Sequence, residues 1–269
     1  MTIVQLPTGE QIWYKKTGVG APLLHIHGSA FGHRNFERLT PYVSKNFEVI
    51  DFDLPGYGES RSDTPPKDMA GLAELVFRFI RAAGYERLHI HGTSFGAMIG
   101  LTMVAAHPEV VDGLVLSCFL ARYDNAARMM RSTWKRAARD SGMAAVADLT
   151  SVAGFARGYY DREEAQAQLA SMREAFSKNT PEAFIASTET IERTDLSPLL
   201  AKITAPTLLL AGEEDNMTPF HPSPSGVGFA QIKELLPACE MVVLPDCGHY
   251  LVLEQPHLVS ERVTGFLNR

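Results

Sequence analysis

The chain has 269 residues, 45% hydrophobic and 21% charged, with 25 Lys plus Arg against 31 Asp plus Glu and a formal net charge of −6. That length suits one catalytic domain with room for an insertion, the composition excludes a disordered chain, and an acidic balance without any run of basic residues argues against nucleic acid as a partner. No apolar stretch approaches the ~20 residues of a membrane span, and the first sixteen residues lack the charged-then-apolar order of a secretory signal, so a cytoplasmic protein is expected.

In chain order, short apolar or β-branched runs occur at Thr2 to Leu6, Gln11 to Tyr14, Pro22 to His27, Phe47 to Asp51, Arg87 to Gly92, Val111 to Ser117, Pro206 to Gly212 and Met241 to Pro245. From the third onward they alternate with helical patterns at Met69 to Gly84, Phe95 to His107, Phe229 to Leu236 and Leu251 to Asn268. Strands alternating with helices of this length predict βαβ crossovers and an eight-stranded, mostly parallel α/β sheet with helices on both faces. The first two strands have no helix between them and should form an antiparallel edge. From Phe119 to Asp195 the alternation stops, and helical spacing such as Ala126 to Asp140 and Arg162 to Ser177 takes over. The expected division is therefore a core of residues 1–118 and 196–269 and an inserted helical cap of residues 119–195. The cap would sit at the carboxyl edge of the sheet, where open α/β folds bind ligands, and act as a lid. Cys118, Cys239 and Cys247 are odd in number and lack C-x-x-C spacing, which fits reduced thiols rather than a disulfide frame or a zinc site.

The run His91-Gly92-Thr93-Ser94-Phe95-Gly96 places G-x-S-x-G between a predicted strand and a predicted helix. A turn this sharp lifts the Ser94 hydroxyl above the sheet, and its flanking glycines avoid a collision with neighbouring backbone. An ordinary hydroxyl is a poor nucleophile, so Ser94 needs a base and a group to orient that base. His249, in Asp246-Cys247-Gly248-His249-Tyr250 just past the last strand, is the candidate base. Asp215, in the loop leaving the strand that ends at Gly212, is the candidate acid, with Glu213 and Glu214 as its rivals.

These pieces resemble the α/β-hydrolase superfamily, and the resemblance spans the whole core. Besides the Ser94 turn and the order Ser, Asp, His, the matching runs are His27-Gly28-Ser29, Asp51-Phe52-Asp53-Leu54-Pro55-Gly56-Tyr57-Gly58-Glu59-Ser60, Ala205-Pro206 and Gly248-His249. Trp134-Lys135-Arg136, Asp195-Leu196 and Glu254-Gln255-Pro256 are similar to 3-oxoadipate enol-lactonases and related small esterases. The resemblance implies the α/β-hydrolase fold, no cofactor, and two-step acyl transfer on a small ester or lactone. In that scheme Ser94 is nucleophile, His249 base, Asp215 the orienting acid, and the backbone N–H groups of Phe95 and Ser29 form an oxyanion hole. Carbon–carbon bond hydrolases of ring-cleavage pathways share the Ser triad, but the loop Gly28 to Gly32 lacks the glycine-rich stretch they usually carry. A ligand receptor on the same fold is the non-catalytic alternative.

Within the cap, Arg128, Arg131 and Lys135 share a helical face, and Arg131 or Arg136 would be the cation that grips a substrate carboxylate. Phe31, Trp134 and Phe220, with Phe119, Phe155, Tyr159 and Tyr160, are candidates for an apolar pocket wall. The pairs His25/His27 and His89/His91 each fall on one sheet face. They read as buried, hydrogen-bonded histidines, and no metal site is expected.

Overall fold

The computed structural model, which describes residues 2–236 and 238–269, contains all eight strands: β1 (Thr2–Gln5), β2 (Gln11–Thr17), β3 (Ala21–Ile26), β4 (Phe47–Phe52), β5 (Leu88–Thr93), β6 (Val111–Ser117), β7 (Thr207–Gly212) and β8 (Cys239–Leu244). They form one sheet in the order β1-β2-β4-β3-β5-β6-β7-β8. The pairs β1–β2 and β2–β4 are antiparallel and all others parallel. The chain winds from β3 to β4 on one side and then to β5 on the other. The carboxyl ends of β3 and β5 therefore diverge at a switch point, which opens a crevice there.

Strand alternation feeds two apolar layers. Leu24 and Ile26 of β3 pack with α2 (Met69–Ala82) and α3 (Phe95–Ala106), whereas Leu23 joins the layer that holds Val259 and Val263. α3 is buried on nearly every side, as a helix directly beneath a central strand must be. A short helix, α1 (Thr40–Val43), precedes β4.

Between β6 and β7 lie α4 (Asn125–Ser141), α5 (Met143–Gly154), α6 (Ala165–Ser177), α7 (Pro181–Arg193) and the single turn α8 (Ser197–Leu200). Local chemistry sets these boundaries. The Asp124 side chain caps α4 by accepting the Ala127 N–H at 2.8 Å, Gly142 at φ 80° breaks α4 from α5, and Thr180 followed by Pro181 opens α7. The neck of the insertion is closed, since Leu196 N–H donates to Ala121 O at 2.8 Å and Arg122 pairs with Asp195 at 3.3 Å. Trp134, Phe155, Tyr159, Phe176 and Phe184 belong to the same apolar layer as Leu23 and Val115 of the sheet.

The chain ends with α9 (Phe229–Leu235), α10 (Leu251–Glu254) and α11 (Pro256–Leu267). The continuous helix expected from Leu251 to Asn268 is broken at Gln255, because Pro256 has no N–H to donate and takes the first position of a new helix. No helix of the described residues is long and apolar enough to cross a membrane.

Candidate active site

Ser94 follows β5 and caps α3 with φ 53° and ψ −115°, a conformation costly for any residue with a side chain. The surroundings force it. Ser94 N–H donates to Ser117 O at 2.8 Å. A Cβ on Gly92 would lie 2.5 Å from Gly96 O, and one on Gly96 would run into the Ile26 carbonyl of β3, so both glycines are obligatory for this approach of helix to sheet. Ala97 and Met98 N–H both turn back onto Ser94 O. The Phe95 N–H, at the first helical position, is one of the unspent donors at the positive end of a helix.

The loop after β3 is pinned by His27. Its Nε2 accepts the Leu54 N–H at 3.0 Å and its Nδ1 donates to Gly28 O at 2.8 Å, which fixes a neutral imidazole; burial holds its pKa below the ordinary value. Gly28 N–H donates to Asn35 Oδ1 at 2.7 Å, and Ala30 turns at φ 71°. Ser29 is thereby presented to the crevice.

Beyond β7 the loop folds back so that Asp215 Oδ1 accepts the N–H groups of Met217 and Thr218 at 2.9 and 2.8 Å. Its Oδ2 accepts the Thr218 hydroxyl at 2.5 Å and His249 Nδ1 at 2.9 Å. Burial alone would raise this carboxyl, but the adjacent imidazole and the hydrogen bonds from His249 and Thr218 outweigh it and hold the pKa below the usual carboxylate range. Glu213 is exposed and Glu214 accepts the Arg157 N–H at 2.8 Å, so of the three acidic candidates only Asp215 meets His249. With Nδ1 spent on Asp215, Nε2 is the imidazole nitrogen left for other chemistry. His249 N–H donates to Gly154 O of α5 at 2.6 Å.

Ser94 and His249 line one narrow cavity of about 30 Å3 without a hydrogen bond between them. Gly28, Ser29, Asn35 and Thr93 complete its polar end, and Phe31, Trp134, Phe176, Phe184, Met217 and Tyr250 its apolar walls. Arg131 also reaches it. That side chain is buried, donates to Tyr123 OH at 2.9 Å, and lies over the rings of Tyr123 and Trp134.

Two expected contacts are corrected. Arg136 is exposed on the outer side of α4, because a rotation of five residues from Arg131 turns its side chain away from the sheet. Phe220 packs against His221 and the opposite apolar layer, since the loop after Asp215 carries it past the cavity. Arg128, Arg131 and Lys135 do not form one row: Arg128 bonds Tyr123 O and Lys135 pairs with Glu192 at 2.7 Å. Phe119 packs on Phe229, and Phe155 stacks on Tyr159 at 4.4 Å.

Three of the paired histidines are buried and engaged, His27 as described, His25 Nδ1 with Asp51 at 2.8 Å and His91 Nε2 with Ser117 Oγ at 2.8 Å. His89 departs from the expectation: it is half-buried near the start of β5 and its Nδ1 has no hydrogen-bond partner among the described residues. Cys118, Asp215 and His249 bring potential ligand atoms within 4.8 Å of one another, the one such trio among the described residues. Asp215 and His249 are committed to each other, and burial, reinforced by Asp215, pushes the Cys118 thiol well up, so it stays protonated. Thr218 and Asn35 carry no motif of their own, which is why the sequence did not single them out.

A model of the Alpha/beta hydrolase family matches residues 23–262. The chain belongs to the alpha/beta hydrolase family. Within it, the chain is similar to a pimeloyl-[acyl-carrier protein] methyl ester esterase of Nitrosomonas europaea, 28% identical over 258 residues covering 91% of this chain and 95% of the relative. It is also similar to monoacylglycerol lipase abhd6-A of Xenopus laevis, 23% identical over 266 residues covering 94% of this chain and 77% of the relative. Among solved structures, the enol-lactonase from Burkholderia xenovorans LB400 superposes with a TM-score of 0.88 at 22% identity over 100% of both chains, a likeness of fold. This alpha/beta hydrolase thus has the eight-stranded sheet of its family, with Ser94 and His249 lining one cavity and Asp215 buried against His249.

Proposed function

We propose that the protein is a serine hydrolase of small carboxylic esters or lactones, working without a cofactor. The observation that carries this reading is the cavity shared by Ser94 and His249, with the imidazole oriented at Nδ1 by buried Asp215. His249 Nε2 takes the Ser94 proton as the hydroxyl attacks the carbonyl. The N–H groups of Phe95 and Ser29 receive the oxyanion, and losing either would raise the barrier by about 3 kcal/mol. The leaving oxygen departs with the proton from His249, and a water, deprotonated by the same nitrogen, releases the acid and restores Ser94. Asp215 holds the imidazole tautomer and stabilises its charged form. The names of the relatives, a methyl ester esterase, a monoacylglycerol lipase and an enol-lactonase, support an ester or lactone as the bond cleaved.

In this reading residues 119–195 form a cap on the core of residues 1–118 and 196–269. A cavity of about 30 Å3 holds roughly two waters, so a substrate must displace side chains of the cap to reach Ser94. The test is hydrolysis of p-nitrophenyl acetate. Ser94→Ala should lower kcat by about 10^4-fold or more while the fold is retained. Equal rates in the variant and the parent protein would remove Ser94 from the mechanism, and tight ligand binding without turnover would favour a receptor.

A further inference from the structure

The reaction cavity is an order of magnitude smaller than the roughly 300–1,000 Å3 usual for small-molecule sites. A second cavity, of about 370 Å3, lies at the carboxyl end of β4. Pro55, Tyr57, Pro66, Leu72, Phe95 and Ala183 give it a mainly apolar lining. Helix α7 divides the two spaces: Phe184 lines the reaction cavity, whereas Ala183 and Ser187 line the second. The partition is thin. Ser29 on the reaction side and Ser187 on the other meet Oγ to Oγ at 2.9 Å, and Phe95, next to Ser94 in the chain, forms part of the second wall.

The partition also holds a buried phenol. Tyr57 is 4% exposed, and its hydroxyl lies beside those of Ser29 and Ser187 without a hydrogen bond of proper geometry to either. A buried hydroxyl gains from a well-aligned partner, so an oxygen acceptor arriving there would be favoured. A third hollow, of about 310 Å3, touches the other side of Phe31. It is rimmed by His33, Arg34, Glu59 and Lys178, and Phe31 is locked by edge-on contacts with Phe176 at 4.9 Å and Tyr250 at 5.4 Å. That wall is closed by packed rings, not by a pair of hydroxyls.

We propose that the cavity bounded by Pro55, Tyr57, Leu72, Phe95 and Ala183 is a subsite for a hydrocarbon limb of the substrate, reached from Ser94 across the Ser29–Ser187 partition. The limb buries its methylenes there, each tightening binding about fourfold, and an ester oxygen at its root accepts a hydrogen bond from the Tyr57 hydroxyl. The substrate class is then an ester with a medium-length alkyl or acyl chain. This inference rests on the reading of Ser94 as the group that becomes acylated.

Two variants fill the space from α7: Ala183→Trp, and Ala186→Trp nearer the rim for the case in which the first fails to fold. The Ser94→Ala protein reports binding without turnover. Titration of ethyl octanoate into Ser94→Ala should give saturable binding that the added Trp weakens at least tenfold, whereas ethyl acetate binds far more weakly in both. In the parent protein the same Trp should lower the ratio of kcat/KM for p-nitrophenyl octanoate over acetate at least tenfold. Octanoate binding that is absent from Ser94→Ala, or unchanged by Trp in a variant with native circular dichroism, overturns the subsite. If octanoate binds as expected but neither ester is cleaved, the hydrolase reading has failed and the subsite stands.

Discussion

Glu254 accepts the backbone N–H of Gly248 at 3.0 Å, one residue before His249, and with its other oxygen the N–H of Ala156 in the inserted segment at 2.9 Å. One buried carboxyl thus ties the turn bearing the imidazole to the end of α5. Burial outweighs the two N–H groups and Arg162 and raises its pKa from 4.5 to about 7. A folded-state pKa above the unfolded one gives stability that is fully present below about 4.5 and lost as the pH climbs through about 7. The difference corresponds to on the order of 3 kcal/mol. Thermal unfolding from pH 5 to 8.5 should therefore show a Tm falling by several degrees, and Glu254→Gln should flatten that slope. Parallel slopes in the two proteins would contradict this assignment. Gln can accept only one of the two N–H groups, so kcat should fall as well.

Thr218 supports Asp215 through its hydroxyl as well as its N–H. Thr218→Val keeps the shape and the backbone bond but strips one donor from a buried carboxylate, worth about 1.5–3 kcal/mol. We expect a Tm lower by several degrees and a kcat reduced about tenfold with KM little changed. An unaltered kcat would mean that the two N–H groups and His249 suffice to place the acid.

Glycine-to-alanine changes should have opposite signs at two positions. At Gly96 the new methyl runs into the Ile26 carbonyl of the sheet, and the loss should exceed about 4 kcal/mol, seen as failure to yield folded protein. At Gly265 in α11 a Cβ meets nothing within 4 Å, and the gain should be about 0.5 kcal/mol. Denaturant midpoints measure both, and a tolerated Gly96→Ala would show that the Ser94 turn can relax away from β3.

Arg131 brings a positive charge to the cavity lined by Ser94 and His249, held by Tyr123 and Trp134, with no acidic side chain among the described residues paired to it. If that charge receives a substrate carboxylate, Arg131→Met should lower the ratio of kcat/KM for a p-nitrophenyl hemiester of a dicarboxylic acid over a neutral ester of equal length by about 10-fold or more. Arg136→Met, on the exposed flank, should leave the ratio where it was. Equal ratios in all three proteins would make Arg131 a packing residue.

What is legible in the sequence follows from the range of the interactions involved. Leu208 to Leu210 or Leu114 to Leu116 announce buried strands because a parallel sheet is covered on both faces, and Gly92 and Gly96 announce the Ser94 turn because backbone contact leaves no room for a side chain. The outward side chain of Arg136 and the position of Phe220 away from the cavity are not legible there, for the rotation of α4 and the path of the loop beyond Asp215 are decided by packing against distant residues. Asn35 and Thr218 carry no sequence signal for the same reason, and Glu254, though part of a recognisable run, shows its role only once it meets Gly248 and Ala156. Asn35 and Glu254 act by bonding backbone that the folded chain brings near, as with Glu254 and Ala156, 98 residues apart, whereas Thr218 acts on the Asp215 carboxylate through its hydroxyl.

The carbonyl of Gly154 that receives the His249 N–H has a bearing on protein engineering. Exchanging the stretch between β6 and β7 with that of a relative, to graft a new preference, transplants a peg of the machinery along with the roof. A donor stretch bearing any larger residue at the position of Gly154 would press against the Tyr250 ring, since even a Cβ would come within 2.5 Å of it. Chimeras should therefore be spliced beyond Gly154, or chosen from donors that keep glycine there.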